Sequence, residues 1–386
     1  MKAFASGRSL AYSVVGTVVG TALVLSACSS GESEEEAAAA AAAQQVRRSA
    51  GPGELTPTGS MAGAREGHAA SLLPDGTVLI SGGMQREGGD VFSSTELYDP
   101  DNGAFAAGPD MQSRRAGHTA TVLSDGRILL TGGVGYLRSA EIYDPATRTF
   151  TRVANMEEGR IGHTATLLQD GRVLIVGGEL RASAEIFDPL TNGFRLTEDM
   201  SSARVYHTAT LLEDGRVIVT GGHSGRVPDI EVFNTTEIFN PTSGTFSSVD
   251  TMSVARHRHE ALRLPDGRVL VLGGSDQRDR AGRYRSAEIY DPEQRTFVAV
   301  ADMSARRHKI QGTGLVLENG SALIAGGADR VEVFDVRHDS FIQAAGAIGS
   351  ELTDATATLL SDGRVLIVGG DAKEPDSYAN AWIYEP

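Results

Sequence analysis

His118-Thr119-Ala120-Thr121-Val122-Leu123-Ser124-Asp125-Gly126-Arg127-Ile128-Leu129-Leu130-Thr131-Gly132-Gly133 holds the unit from which most of the chain is built. A strand of small residues runs into Asp125-Gly126, and a strongly apolar strand leaves it towards a double glycine. Asp-Gly tolerates positive φ at both central positions, as a two-residue type I′ hairpin requires. The double glycine recurs at Gly82-Gly83, Gly132-Gly133, Gly177-Gly178, Gly221-Gly222, Gly273-Gly274, Gly326-Gly327 and Gly369-Gly370, in steps of 43 to 53 residues. The turn recurs with it at Asp75-Gly76, Asp125-Gly126, Asp170-Gly171, Asp214-Gly215, Asp266-Gly267, Asn319-Gly320 and Asp362-Gly363. Periods near that length belong to propeller blades or solenoid units.

The rest of the unit decides between them. A third strand, Ala140-Glu141-Ile142-Tyr143-Asp144, ends at Pro145, and a fourth runs from Phe150 to Met156. Proline cannot donate to a ladder, so it stops one strand and starts the next turn. Four short antiparallel strands make a propeller blade rather than a helical repeat. The Thr- and Ala-rich first strand suits a narrow central channel, and the aliphatic second strand suits the core between blades.

At these residues the sequence resembles the kelch family, whose mark is a double glycine followed by a tyrosine and, about seven residues on, a tryptophan. Here the pairs are Tyr98 with Phe105, Tyr143 with Phe150, Phe187 with Phe194, Phe239 with Phe246, Tyr290 with Phe297 and Phe334 with Phe341. Phenylalanine stands for the tryptophan, as in a bacterial variant rather than the animal adaptor type. The resemblance covers residues 54–386 and implies an all-β, seven-bladed kelch-type β-propeller with four antiparallel strands per blade. The last unit stops at Ala381-Trp382-Ile383-Tyr384-Glu385-Pro386, a third strand, whereas Leu55 to Met61 matches a fourth. An N-terminal strand is therefore expected to close the last blade and to remove two exposed sheet edges.

The first 53 residues read differently. Lys2 and Arg8 precede an apolar stretch from Leu10 to Leu25, the plan of a secretory signal. Leu25-Ser26-Ala27-Cys28 resembles a bacterial lipobox, which implies lipidation of Cys28, the one cysteine of the chain. Residues 1–27 are then a lipoprotein signal peptide and residues 28–53 an acidic, alanine-rich tether with little to bury. A single cysteine excludes an intramolecular disulfide. The 386 residues carry a net charge of −15; without Lys2 and Arg8 the balance is 33 basic against 50 acidic residues, or −17. That charge, with no basic stripe able to follow a phosphate backbone, excludes nucleic acid as a partner.

Three sets of residues stand out as candidate sites. His68, His118, His163, His207 and His259 open the first strand of five units; counting back from the turn, units six and seven carry Gly312 and Ala355 there. A ring of imidazoles suggests a metal, but metal sites need a few convergent ligands rather than one per blade, so the ring reads as structural. Arg65, Arg115, Arg160, Arg204, Arg256 and Arg307 follow the methionines by four residues, and Glu96, Glu141, Glu185, Glu237, Glu288 and Glu332 sit in the third strands. The seventh unit lacks both, with Leu352 and Trp382, which points to one structural Arg–Glu pair per blade.

The third set breaks the repeat. Strand alternation puts the loops after the double glycine and the inter-blade segments on one face. The long loops there are Met84 to Ser93, His223 to Asn234, Ser275 to Tyr284 and Asp371 to Tyr378. Variable loops on a constant scaffold are where binding is expected. Arg256, His257 and Arg258, with Arg306, His308 and Lys309, form the expected ligand-binding patch, and Arg278, Arg280, Arg283 and Arg285 adjoin it. Such a patch suits a carboxylate or an acidic glycan; Asp276, Asp279 and nearby acids are the groups that would balance it.

The resemblance includes enzymes. The copper oxidases of the family need a cysteine crosslinked to a tyrosine, and Cys28 lies outside the propeller. No Asp-box turn of the sialidase type and no Ser-His-Asp arrangement is present. The expectation is a non-catalytic binding or scaffold module of the bacterial cell envelope, at the outer membrane or cell surface. It is expected to be monomeric, without cofactor or metal, lipid-anchored, and to recognise an envelope or extracellular protein or glycan. The alternative is a propeller enzyme acting on an acidic sugar, similar to the sialic-acid epimerases.

Overall fold

The computed structural model describes residues 52–85, 88–179, 181–226, 229–370 and 379–386. Cys28, the expected signal segment and tether, and the loop 371–378 lie outside the described residues. No helix among the described residues is long and apolar enough to cross a membrane.

Seven four-stranded antiparallel sheets follow one another along the chain. Blade 2 shows the pattern: Thr119–Val122, Ile128–Thr131, Ala140–Asp144 and Thr149–Arg152, ordered from the axis outward. The first strands of the seven blades adjoin one another in a closed circle around the axis. Second strands such as Val173–Val176 are buried at all four positions, because each is sandwiched between its own blade and the next. The core is accordingly divided into seven clusters, one at each junction. Between blades 2 and 3, Leu129, Ile142 and Met156 meet Val173, Ile175 and Phe187. Each fully buried aliphatic side chain there contributes roughly 1.5–3 kcal/mol. The six aromatic pairs stack across their third and fourth strands with ring centroids 4.8–5.0 Å apart.

Ring closure follows the expected plan. Glu54–Pro57 pairs antiparallel with Ala381–Glu385, placing Leu55 opposite Tyr384 and Pro57 opposite Trp382. Leu55 also joins the core between blades 6 and 7.

The hairpin turns are a correction. Only the glycine of each Asp-Gly or Asn-Gly pair has positive φ, between 84° and 86°, so the turns are not type I′. In the first, Gly76 N–H donates to Leu73 O at 3.0 Å and Leu73 N–H to Thr77 O at 2.8 Å. That is a type I turn followed by a glycine bulge, which fits Pro74 at its second position. The Asp75 carboxylate accepts from Thr77 N–H at 3.1 Å, so the aspartate acts through its side chain rather than through a left-handed backbone.

The Arg–Glu pairs form in six blades, with N–O distances of 2.7–3.0 Å. Arg115 shows what each one ties together. Its guanidinium donates to Glu141, to Gly132 O at 2.9 Å, to Ser139 O at 2.8 Å and to Ser139 Oγ at 3.0 Å. Glu141 also accepts from Gln112 N–H at 2.6 Å, beside Met111. One buried pair thus clamps the inter-blade segment, the double glycine and the start of the third strand. In the seventh blade Leu352 and Trp382 take these places and pack in the core between blades 6 and 7.

Two outcomes test this account. Deleting residues 54–61 should lower the melting temperature by about 10 °C or more; an unchanged melting curve would show that the ring does not depend on that strand. Arg115→Met alone should cost about 3–5 kcal/mol in urea denaturation by stranding Glu141, and Arg115→Leu with Glu141→Leu should recover most of that loss.

Candidate functional site

The residue two places after the clamp arginine, or after Leu352 in the seventh blade, borders the channel mouth in every blade. The seven are Gly67, Gly117, Gly162, Tyr206, Arg258, Lys309 and Asp354, all left-handed with φ between 53° and 63°. Their backbones bond one to the next: Tyr206 N–H donates to Gly162 O at 2.9 Å, Arg258 N–H to Tyr206 O at 2.9 Å, Lys309 N–H to Arg258 O at 3.0 Å and Asp354 N–H to Lys309 O at 3.1 Å. Glycine takes this conformation freely; an L side chain there costs about 1–2 kcal/mol. Blades 1 to 3 therefore leave a bare half of the mouth, and blades 4 to 7 furnish the other half at an energetic cost. The sequence carries this signal as a glycine lost from one repeat position. Tyr206 and Asp354 were missed because neither lies in a basic run.

Around the furnished half the loops add titratable groups. The Arg258 guanidinium lies 4.0 Å from the centroid of the Tyr206 ring, and Lys309 pairs with Asp354 at 3.1 Å. His223, on the small hairpin of His223–Ser224 with Glu231–Val232, stands edge-on to His257 with centroids 4.9 Å apart. The His257 Nε2 contacts Ser275 Oγ at 3.1 Å and Asp276 O at 3.2 Å. His308 Nε2 lies 3.9 Å from Asp279 Oδ1, carried on the short 3₁₀ turn Asp279–Gly282. Burial pushes His257 and His308 down to about 4, so both are neutral near pH 7.

The expected basic patch is divided. His257, Arg258, His308 and Lys309 come together, while Arg306 is exposed and donates to Arg283 O at 3.1 Å. Arg256 does not join them: it is fully buried against Glu288 at 2.8 Å, one of the structural clamps. The adjoining arginines are neutralised, Arg278 by Asp276 at 2.6 Å, Arg285 by Asp302 at 2.9 Å, and Arg280 and Arg283 both by Glu351. Within the patch, Arg258 and Arg306 are the arginines left without an acidic partner among the described residues.

From the mouth the channel opens as a recess of about 570 Å³ lined by small residues, hydroxyls, four of the channel histidines and Glu260. The five repeated histidines do not point to a ligand. Each Nε2 reaches a hydroxyl of the preceding blade, as His163 does to Thr119 at 3.2 Å and Thr131 at 3.0 Å. Burial pushes His68 down to about 4 and His118, His163 and His207 to about 3, and drives His259 well below its ordinary value. Unit six corrects the count from the turn. Ile310, three residues after Arg307, fills the histidine place against Gly273 and Gly327, and Gln311-Gly312 bulges into the channel. Glu260 accepts from Gly312 N–H at 2.8 Å and Gly314 N–H at 3.0 Å, and burial pushes it up to about 7.

The Kelch motif is matched at residues 114–157 and 264–304. The fold is a kelch-type β-propeller. No curated protein matches the chain in sequence. Among solved structures, a fungal alcohol oxidase of the AA5 family, in complex with copper, superposes on this kelch propeller with a TM-score of 0.70. It is 16% identical, and the match covers 87% of this chain and 76% of that one, a likeness of fold alone. Among the described residues no group of three or more His, Cys, Asp or Glu is placed to hold a metal ion.

The channel histidines set an acid limit on the kelch propeller. Their folded values lie below the ordinary 6.5, so the stability they contribute is present above pH 6.5 and is lost as the pH falls towards 4 and 3. For His68, His118, His163 and His207 the loss is on the order of 2 kcal/mol each by pH 5, and His259 adds in the same direction, so together they approach the whole stability of a domain. Unfolding followed by circular dichroism should therefore begin between pH 6 and 4.5, and His163→Ile, the solution of blade 6, should move the midpoint to lower pH. A midpoint unmoved by that change would remove the histidines from the explanation.

Proposed function

We propose that this kelch propeller is a non-catalytic binding module of the cell envelope, exported and lipid-anchored through Cys28, which recognises a protein or glycan at its channel-mouth face. The observation that carries the proposal is the furnished half of the mouth. Four consecutive blades hold Tyr206, Arg258, Lys309 and Asp354 in a backbone conformation that glycine fills in the other three. Local strain persists where the surroundings impose it and clusters at sites of function. The described starts of three long loops lie on the same side, with Met84 bridged to Glu66, His223 to Val205 and Ser275 to His257. A constant ring with its variation gathered at one rim is the arrangement of a recognition surface.

The purified mature protein should retain a partner from envelope extract or a glycan array. Arg306→Glu with Lys309→Glu should weaken that retention, whereas Arg172→Ala and Arg216→Ala, in the hairpin turns at the opposite ends of the strands, should not. Loss confined to the turn variants would place recognition on the other face, and turnover of a sugar would overturn the non-enzymatic reading. Cys28→Ser should release the protein from the membrane fraction; unchanged retention would count against the anchor.

A further inference from the structure

We infer that the recess at the channel mouth is a site for a hydroxylated carboxylic acid of monosaccharide size, with Arg258 as the carboxylate anchor and Asp279 as the acceptor of a ligand hydroxyl. The inference rests on the binding-module reading and names the class of ligand for it.

Two kinds of unmet demand meet in this recess. The Arg258 Nε is buried without a hydrogen-bond partner, and its guanidinium, held over Tyr206, has no acidic partner among the described residues. Asp279 Oδ1, 3.9 Å from His308 Nε2, is likewise buried and unpartnered. Beside them, Lys309 is paired with Asp354, and His257 Nε2 meets Ser275 and Asp276.

The mixture of groups selects the ligand. A guanidinium stacked on a ring presents a planar fork that matches a carboxylate. A neutral sugar would leave it unpaired. A phosphate ester would satisfy it but would bring about −1.5 to −2 of charge beside the Asp279 carboxylate, where a carboxylate brings a single charge. A compound with one carboxylate and several hydroxyls meets both demands. Space is available beside them, because Gly67, Gly117 and Gly162 leave their half of the rim without side chains and the channel recess holds about 570 Å³. Gly162 is itself constrained, since a Cβ there would lie 2.5 Å from Val205 Cγ2 and 3.0 Å from the Tyr206 ring.

Titration calorimetry of the full mature protein with D-glucuronate, D-galacturonate and D-gluconate tests the inference, with glucose, methyl glucuronate ester and glucose 6-phosphate as controls. At least one acid should bind, about tenfold or more tighter than every control. Arg258→Gly should reduce that binding by about tenfold or more with a melting temperature no lower than that of the parent, because glycine fills the same position in three blades. Asp279→Asn should narrow the gap between the acid and glucose 6-phosphate. Binding of a control as tight as the acid, or acid binding untouched by Arg258→Gly, would overturn the inference. Failure of all three acids while the protein still retains an envelope partner would sink the ligand class and leave the binding module standing; failure of both would sink the two together.

Discussion

A guanidinium buried against a carboxylate organises this molecule more than any apolar contact does. Removing both charges from water is costly, and their attraction offsets that cost only when the remaining donors and acceptors are also satisfied. Arg115 meets that condition with the Glu141 carboxylate, the Gly132 carbonyl and both the carbonyl and the hydroxyl of Ser139. The pair therefore acts as a gauge. The double glycine, the third strand and the inter-blade segment fit together only when all of them stand in register. Leu352 and Trp382 show that apolar packing does the same work in the one blade where the two ends of the chain meet.

The inter-blade segment has a consequence at the surface. The residue two places after each clamp arginine, and after Leu352 in the seventh blade, lies in the left-handed region whichever side chain it carries. Three blades accept the constraint with glycine. Four hold side chains against it, and those four border the recess where Arg258, His257, His308 and Asp279 gather. Scaffold and site are thus separated by two residues along the chain: Arg256 belongs to the core, Arg258 to the mouth. Charge alone does not distinguish them, because both are arginines in one basic run.

Electrostatics at this face is local. Glu351 crosses from blade 7 to neutralise Arg280 and Arg283 of the blade 5 loop, at sequence separations of 71 and 68 residues. What remains is one stacked guanidinium beside neutral imidazoles, with Arg306 exposed at the rim, rather than a broad positive field, which favours a small, directional anion over a polyanion.

The sequence by itself determined the number of blades, the order of their strands, the closure by Leu55 and the pairing of Arg65 through Arg307 with their glutamates. All of these follow from local periodicity, turn residues and the joint loss of both partners in one unit. Only the tertiary structure decided the hand and neighbours of particular residues. The hairpins took a type I turn with a glycine bulge because Leu73 is buried and bonds across to Thr77, which Asp-Gly alone does not reveal. Ile310 entered the histidine place because the clamp at Arg307, not the following turn, sets the register. The mouth was partly legible as the basic segments 256–258 and 306–309, but Tyr206, Asp354 and Asp279 were not. Their roles come from blades meeting around an axis, and contacts between units leave no mark in the period of the units themselves.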